Sequence, residues 1–254
     1  MSFSLSHPPR ILALHAHPDD LEIFFGGTLA LLKQRGCEIF MVTMTPGDKG
    51  SAELSGDEIA AIRRKEAKKG AETLGAPYLC LEFRDLEIDV SHQSRQRVTE
   101  ALRRFQPDII LTAAPVDYMS DHECTSRLVR DACFCAAVPN YKTEQADPAP
   151  LMTKIPALYY ADPIEGIDWF NNPVKADFIV DISETIELKL EALACHESQR
   201  EWLRRQHGMD EYLDSARRWS AKRGSEGGFS YGEGFRQHSG HPYPHDNVLL
   251  ELLK

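Results

Sequence analysis

Apolar runs of strand length alternate with longer segments of helical periodicity through the first half of the chain, and this alternation constrains the fold more than any other feature. Predicted strands lie at residues 10–15, 38–44, 78–83 and 108–113, and predicted helices at 27–35, 55–74, 93–105 and 121–136. Apolar strands that alternate with helices favour a parallel sheet covered on both faces. We therefore predict an α/β fold of three layers with a mostly parallel sheet.

The second half of the chain has a less regular pattern. Predicted strands lie at residues 157–161 and 177–181, and one long helix is predicted from about residue 183 to residue 205. Residues 206–254 are predicted to be rich in loops, because the stretches 224–234 and 237–247 are rich in glycine, histidine and proline. The sequence shows no convincing linker, so we predict a single domain over residues 1–254.

The composition limits the class of protein and its partners. Of the 254 residues, 42% are apolar and 27% are charged, a balance typical of a globular protein. No apolar run approaches the roughly 18 residues of a membrane span, and the first residues lack the pattern of a signal peptide.

The formal net charge of -10 disfavours nucleic acids and anionic membranes as partners. The six cysteines include no C-x-x-C pair, which argues against a thiolate zinc site. We therefore expect a cytoplasmic protein that binds neither nucleic acid nor membrane.

Two polar clusters follow two of the predicted strands. The stretch HAHPDD, residues 15–20, comes directly after the first strand, and PVDYMSDH, residues 115–122, comes after the fourth. In open α/β sheets, ligands bind at the carboxyl ends of the strands, near the point where the strand order reverses. If the strand order is 3-2-1-4, the first and fourth strands are neighbours and the two clusters meet in space.

Together these clusters contain the ligands that a catalytic metal ion requires. A catalytic zinc takes about three protein ligands from histidine and carboxylate and keeps one position open. His17, Asp20 and His122 fit this requirement. Asp19 is left free beside them, and a carboxylate next to a metal ion is placed to accept a proton from water. The sequence therefore predicts a metal centre with Asp19 as the general base.

Other interpretations of the same residues stay open at this point. A pair of aspartates before a helix is often an N-cap, and His15 could be a core histidine or could support a ligand. The H-x-H-x-D pattern of residues 15–19 also fits metallo-β-lactamase-like hydrolases. Those enzymes normally have histidine where this chain has Asp20, and they use antiparallel sandwiches.

The chain also resembles, over most of its length, the PIG-L/LmbE-like family of zinc-dependent N-deacetylases. The motifs that carry the resemblance are HPDD at 17–20, GGT at 26–28, VTMTPG at 42–47, RRKE at 63–66, RD at 84–85, HESQ at 196–199 and YGEGFR at 231–236. HPDD alone would be a weak signal, whereas the whole set is highly specific.

The resemblance implies a Rossmann-like α/β fold and removal of the acetyl group from an N-acetylglucosamine-type sugar or conjugate. Members of the family include diacetylchitobiose deacetylases and the deacetylases of mycothiol and bacillithiol biosynthesis. Carried over by position, the resemblance implies the same metal ligands and base as above, with zinc as the ion, and it implies that Arg63 and Asp85 hold the sugar. Fe²⁺ suits the same ligands. We further expect a small N-acetylated sugar as the partner and a homo-oligomer, for which a hexamer is one option.

The chain departs from the family at one position. Where the family has H-P-D-H, residues 119–122 are MSDH, so Met119 replaces a histidine thought to stabilise the oxyanion or to assist proton transfer. A thioether can do neither, and loss of one oxyanion donor typically costs roughly 10²–10³ in rate. Supporting residues or candidate replacements are Asp121, His238, His241 and His245, of which the three histidines could reach a neighbouring subunit's site. The departure also leaves a non-catalytic sugar- or metal-binding protein as an alternative.

Overall fold

Seven strands in the described part of the chain form one sheet in the order β3-β2-β1-β4-β5-β7-β6. The computed structural model describes residues 7–207 and 211–254. Residues 1–6, where we predicted no signal peptide, lie outside the described residues, as do residues 208–210 of the segment predicted to be rich in loops.

The strands are β1 (Arg10–His15), β2 (Glu38–Thr43), β3 (Tyr78–Cys80), β4 (Ile109–Thr112), β5 (Ala157–Ala161), β6 (Phe178–Asp181) and β7 (Gly232–Gln237). The helices are α1 (Asp20–Gln34), α2 (Gly56–Thr73), α3 (His92–Phe105), α4 (Ser120–Cys135), α5 (Ile186–Ala194), α6 (Glu197–His207), α7 (Tyr212–Gly227) and α8 (Val248–Leu253).

The sheet is mostly parallel. The strands β3, β2, β1, β4 and β5 pair in parallel, while β7 runs antiparallel between β5 and β6. The predicted α/β fold with a mostly parallel sheet is confirmed, and so is the order 3-2-1-4 of the first four strands. None of the described helices has the length and apolar character that a bilayer crossing requires.

The two faces of the sheet carry separate apolar cores. On β1, Ile11 and Ala13 belong to a cluster that includes side chains of α1 and α5. Leu12 and Leu14 belong to a second cluster that includes side chains of α3 and α4. The β1 side chains point alternately to opposite faces and all four are fully buried, so helices cover both faces. This explains why the strands read as continuous apolar runs and not as alternating ones.

α1 begins earlier than predicted. It starts at Asp20, directly after the HPDD aspartates, whereas the prediction started at residue 27. The predicted start was wrong because the helix already includes two acidic residues near its start, and both are buried: Asp20 is 5% and Glu22 is 1% exposed. The interior glycines of α1 allow close packing, since a Cβ on Gly27 would lie 2.6 Å from the Ile182 Cβ.

The second half of the chain also differs from the prediction. The long helix expected from about 183 to 205 is two helices, α5 and α6, because the chain turns at His196 and buries that side chain completely. Within 206–254, α7, β7 and α8 occupy much of the segment that was expected to be rich in loops, whereas residues 238–247, between β7 and α8, form neither helix nor strand, as predicted. β7 was missed because its glycines suggest a turn, yet its Glu233 is buried against the Lys189 ammonium at 2.8 Å. The single domain stays a prediction.

Candidate metal centre and active site

The carboxyl ends of β1 and β4 bring the two polar clusters together. These strands pair in parallel from Ile11↔Ile109 to Leu14↔Thr112, so HAHPDD and the 115–122 stretch leave the same edge of the sheet. The ring of His122, near the start of α4, lies edge-on to the His15 ring with centroids 4.6 Å apart. Its centroid lies 5.3 Å from that of His17.

Asp20 lies at the centre of this cluster. Its Oδ2 accepts a hydrogen bond from the His17 backbone N at 2.7 Å and lies 2.7 Å from His15 Nδ1. The same oxygen lies 3.3 Å from His17 Nδ1 and 3.4 Å from His122 Nε2. One carboxylate oxygen therefore faces three imidazoles.

Two of these spacings fit a shared metal ion. Ligand bonds of about 2.0–2.1 Å place neighbouring ligand atoms of a tetrahedral zinc roughly 3.3 Å apart. The distances from Asp20 Oδ2 to His17 and to His122 have this value, whereas the 2.7 Å to His15 is a hydrogen-bond length. Ligand atoms of His15, Asp20 and His122 also lie within 4.8 Å of one another. The cluster could hold a divalent cation, with His15 either as a ligand or as the residue that orients Asp20.

The second ring nitrogens of His17 and His122 face buried carboxylates. His17 Nε2 lies 3.1 Å from Asp85 Oδ1 and 3.3 Å from Asp121 Oδ2. His122 Nδ1 lies 3.2 Å from Oδ1 of Asp117, whose side chain is completely buried. Carboxylates in this position fix the orientation of a ligating imidazole.

Burial and the carboxylates change the protonation of these groups. Burial lowers the pKa of His15. Burial alone would also lower the pKa of His17, but hydrogen bonds to Asp121, Asp20 and Asp85 raise it well above its usual range. Although burial opposes it, the pKa of Asp20 is held well below its usual range by His15 and His122. Asp20 is therefore an anion, as a metal ligand must be.

Asp19 lies directly beside this cluster in a strained backbone conformation. Its φ of 96° lies in a region that residues other than glycine seldom adopt. The Tyr212 hydroxyl, at the start of α7, donates a hydrogen bond to Asp19 Oδ2 at 2.6 Å, and Arg63 Nη2 lies 3.7 Å from Oδ1. Burial raises the pKa of Asp19, while Arg63 opposes the shift. A carboxylate with a raised pKa is a better proton acceptor near neutral pH.

Arg63 and Asp85, which we expected to hold a sugar, both line the cleft beside this cluster. Arg63 extends from α2 beneath the loop that follows β2 and donates a hydrogen bond to the Pro18 carbonyl at 2.9 Å. Gly47 in that loop has a φ of 69°, and a Cβ there would lie 2.3 Å from Arg63 Nη1. Glycine is therefore required at this position by both the backbone and the arginine. Asp85 accepts a long hydrogen bond from the Lys49 backbone N at 3.4 Å.

A cavity of about 610 Å³ opens above the cluster. His17, Asp19, Asp20 and His122 form its floor, and Arg63 and Asp85 lie to one side. The opposite side is built from α6, α7 and the turn at Ile164–Gly166, and it includes Trp202 and Trp219. The cleft thus combines a polar floor with a largely apolar side, the usual character of a small-molecule site.

The C-terminal histidines lie away from this cavity within their own chain. His238 shares a hydrogen bond with the Tyr160 hydroxyl at 3.0 Å. Neither it nor His241 nor His245 is among the described residues that line the cavity, whereas Met119 is. Within one chain, these histidines therefore do not replace the family's histidine, and their reach to a neighbouring subunit stays a prediction. Asp121 contacts His17 and accepts a hydrogen bond from the Leu86 N at 2.7 Å, the contacts of a supporting residue.

The sequence interpretation missed three residues of the site. Asp117 was not distinguished from the other acidic residues of its loop. Tyr212 and Trp219 lie in a segment that was predicted to be loops. A usable signal was present, because Tyr212, Ala216 and Trp219 are spaced at i, i+4 and i+7, which places them on one face of a helix, and all three line the cavity.

Comparison with known proteins gives matches over the region that carries the site. Residues 12–133 match the PIG-L family model, described as GlcNAc-PI de-N-acetylase. The chain is 29% identical over 211 residues to the diacetylchitobiose deacetylase of Thermococcus kodakarensis, covering 78% of this chain and 74% of that protein. It is 26% identical over 230 residues to a Mycobacterium 1D-myo-inositol 2-acetamido-2-deoxy-alpha-D-glucopyranoside deacetylase, with coverages of 75% and 74%. It is also 26% identical over 198 residues to the 4-oxalmesaconate hydratase of Pseudomonas putida, with coverages of 74% and 73%.

A solved structure extends this likeness to the whole fold. The N,N'-diacetylchitobiose deacetylase from Pyrococcus horikoshii superposes with a TM-score of 0.77 at 30% identity, covering 97% of this chain and 92% of that chain. The resemblance drawn from the sequence motifs is therefore confirmed.

Proposed function

Because this chain belongs to the PIG-L family of de-N-acetylases, we propose that it is a metal-dependent hydrolase that removes the acetyl group from an N-acetylglucosamine-type sugar or conjugate. The products are acetate and a free amine. One observation carries the proposal: Asp20 Oδ2 lies 3.3 Å from His17 Nδ1 and 3.4 Å from His122 Nε2, with Asp19 directly beside them. Zn²⁺ is the proposed ion, and Fe²⁺ suits the same donor atoms.

In this proposal, His17, Asp20 and His122 hold the ion, and Asp121 and Asp117 orient the two imidazoles. When bound, zinc supplies a Lewis acid that lowers the pKa of water and polarises a carbonyl group. The buried carboxylates around the histidines keep each ring in the tautomer that presents a lone pair to the ion.

Asp19 is the proposed general base. Tyr212 occupies its Oδ2 with a hydrogen bond, which leaves Oδ1 to accept a proton from the attacking water. The water oxygen forms a bond to the acetyl carbon, the carbon–nitrogen bond breaks, and the proton passes from Asp19 to the departing nitrogen. The nearby Arg63 guanidinium favours the anionic form in which Asp19 begins the cycle.

Arg63 and Asp85 are the proposed sugar ligands. Both line the cleft next to the floor and both are buried. A guanidinium and a carboxylate offer hydrogen-bond donors and acceptors that suit ring hydroxyls. Their fixed positions orient the sugar, so that the acetamide lies against the floor.

Acetate release tests this function directly. The zinc-reconstituted protein is expected to release acetate from N-acetylglucosamine or diacetylchitobiose, and Asp19→Ala is expected to lose about 10²–10⁴ of the rate, the usual contribution of a general base. Asp147→Ala, at an exposed position, is the matched control and should keep the wild-type rate. Full activity of Asp19→Ala on a confirmed substrate would rule out Asp19 as the base.

The alternatives predict other outcomes. A hydratase like the Pseudomonas relative would release no acetate. The cleft also suits its carboxylate substrate poorly, because the described lining residues include one lysine, Lys49, and one arginine, Arg63, but more aspartates and glutamates than that. A non-catalytic protein would bind zinc and sugar without turnover. The metallo-β-lactamase-like alternative disagrees with the mostly parallel sheet of the described chain.

The cellular location and the assembly of the chain are further proposals. We propose a cytoplasmic homo-oligomer, a hexamer being one option, because relatives with this resemblance often assemble. Light scattering on the purified protein measures the mass directly, and a monomeric mass at assay concentration would contradict the proposal.

A further inference from the structure

An exposed tryptophan is hydrogen-bonded to the backbone beside the proposed metal ligands. The Trp169 Nε1–H group donates a hydrogen bond to the Asp117 carbonyl oxygen at 2.5 Å, although Trp169 is 60% exposed. A ring so exposed gains little from apolar burial. The N–H group is therefore the part of this side chain that the fold uses.

The backbone of Asp117 is held on both sides of its side chain. The Asp117 N donates a hydrogen bond to Glu123 Oε1 at 2.8 Å, and the Asp117 carbonyl oxygen accepts the bond from Trp169. The Asp117 carboxylate lies 3.2 Å from His122 Nδ1, and no other group of the described chain bonds to it. The backbone alone therefore sets where this carboxylate lies.

The same bond also fixes the residue that follows. The carbonyl of Asp117 belongs to the planar peptide unit that joins it to Tyr118. The Tyr118 ring lies edge-on to the His122 ring, with centroids 5.5 Å apart. A rotation of this peptide plane would therefore move two side chains that contact His122.

The loop that presents Trp169, residues 167–173, is closed by its own contacts. Its first and last residues form an antiparallel bridge, and Asp168 Oδ1 accepts hydrogen bonds from two backbone N atoms of the loop, at 2.9 and 2.8 Å. Where the loop ends, the buried Arg223 donates a hydrogen bond to the Val174 carbonyl oxygen at 3.0 Å. The indole N–H is thus presented by a preorganised loop, so little ordering opposes its bond.

We propose that Trp169 is a positioning residue for the metal centre. Its indole N–H group fixes the Asp117 backbone and thereby the carboxylate that orients the His122 ring. No residue from 167 to 173 is among the described residues that line the cleft, so Trp169 acts on the centre and not on the substrate. The inference rests on the proposed function in taking His122 as a metal ligand, and it adds a role for a loop outside the cleft.

Competition with a chelator measures the expected effect on zinc. Trp169→Phe keeps an aromatic ring but loses the donor, and it should raise the zinc Kd about three- to tenfold, the scale of one hydrogen bond. Phe170→Leu is the matched control, since Phe170 is an exposed aromatic residue of the same loop, and it should keep the wild-type Kd. A wild-type Kd in Trp169→Phe would overturn the inference.

A double-mutant cycle separates positioning through Asp117 from a general loss of structure. Asp117→Ala leaves no carboxylate to position, so adding Trp169→Phe to it should not raise the zinc Kd further, because the two residues act as one unit. If Trp169→Phe had the same effect in the wild-type and Asp117→Ala backgrounds, Trp169 would not act through the carboxylate and the inference would fail.

Hydrogen exchange tests the contact without zinc or substrate. In the metal-free protein, the Asp117 N–H should exchange about three- to tenfold faster in Trp169→Phe than in the wild type, because local opening exposes it more often. Phe170→Leu should not change this rate, and an unchanged rate in Trp169→Phe would contradict the inference. If the wild type releases no acetate while the zinc and exchange results hold, the proposed function fails and the positioning role stands. A wild type that binds no zinc would overturn both.

Discussion

The floor of the cleft and its α6–α7 side are built by different means. The floor comes from the short connections after β1 and β4 and from the first turns of α1 and α4, and its charged side chains are buried and contact one another at 2.7–3.4 Å. The other side comes from two helices late in the chain, and its tryptophans are half-buried. Positions on the floor are fixed by the parallel sheet, so they suit chemistry that tolerates little displacement. Side chains on the α6–α7 side can be substituted without disturbing the parallel strands, so this side suits selection of the substrate.

Among the described residues, one hydrogen bond joins the α6–α7 side to the floor, and others join it to the helix α2 that carries Arg63. The Tyr212 hydroxyl reaches Asp19, and the Ser198 hydroxyl and backbone N at the start of α6 both bond to Glu66 of α2, at 2.5 and 2.8 Å. The comparison therefore predicts that substitutions of the proposed metal ligands and of the carboxylates that orient them affect metal binding. Substitutions on the α6–α7 side should affect the reaction or the substrate and leave the metal in place.

The largest effect is expected from a carboxylate beneath the floor. Asp117→Asn should weaken zinc binding about 10–100-fold, because a partner that orients a ligating histidine typically contributes this much. Competition with a chelator measures the affinity. Asp108→Asn is the matched control, since Asp108 is also buried but lies at the opposite end of β4, and the zinc affinity of this variant should not change. Unchanged affinity in Asp117→Asn would mean that His122 is not oriented by Asp117.

The floor could be predicted from the sequence because each of its residues follows closely after a predicted strand. His17 and Asp20 follow one apolar strand, and His122 follows another, so a correct strand order was enough to bring them together. The contribution of Asp117 could not be predicted in this way, because only the ring orientation of His122 shows which acid of its loop faces the Nδ1 atom.

The spacing of Tyr212, Ala216 and Trp219 could have predicted the helix α7, but the position of α6 and α7 beside the floor could not be predicted, for a physical reason. The tryptophans of these helices lie far along the chain from the floor, and their place depends on how α6 and α7 pack. The turn between α5 and α6 depends on the buried pair of His196 and Glu22, whose closest atoms lie 3.3 Å apart. A helical period continues through such a turn, so tertiary contacts decide where the helix ends. β7 was hidden in the same way, because its buried Glu233 is stabilised by a lysine distant in sequence.

An intermediate effect is expected at the link between the two regions. Tyr212→Phe removes the hydrogen bond to the Asp19 carboxylate and should lower kcat about tenfold, since a hydrogen bond to a charged group contributes roughly 1.5–3 kcal/mol. Zinc content should stay at the wild-type value, because Tyr212 contacts no proposed ligand. Tyr141→Phe, remote from the cleft, should keep the wild-type kcat. A loss of zinc in Tyr212→Phe would contradict the separation of the two regions.

The smallest effect is expected at two glycines that share a backbone conformation. Gly36 and Gly47 have φ values of 81° and 69°, but a Cβ on Gly36 would meet nothing within 4 Å, whereas one on Gly47 would lie 2.3 Å from Arg63 Nη1. Alanine at either site should destabilise the fold by about 1–2 kcal/mol through the left-handed conformation, which thermal unfolding measures as a fall of roughly 2–8 °C. Only Gly47→Ala should also displace Arg63 and raise KM, by about tenfold or less, since Arg63 lies beside the reacting groups and is not one of them. Wild-type KM in Gly47→Ala, at the same stability as Gly36→Ala, would show that the loop does not set the position of Arg63, and the sugar side of the floor would then be less rigid than its metal side.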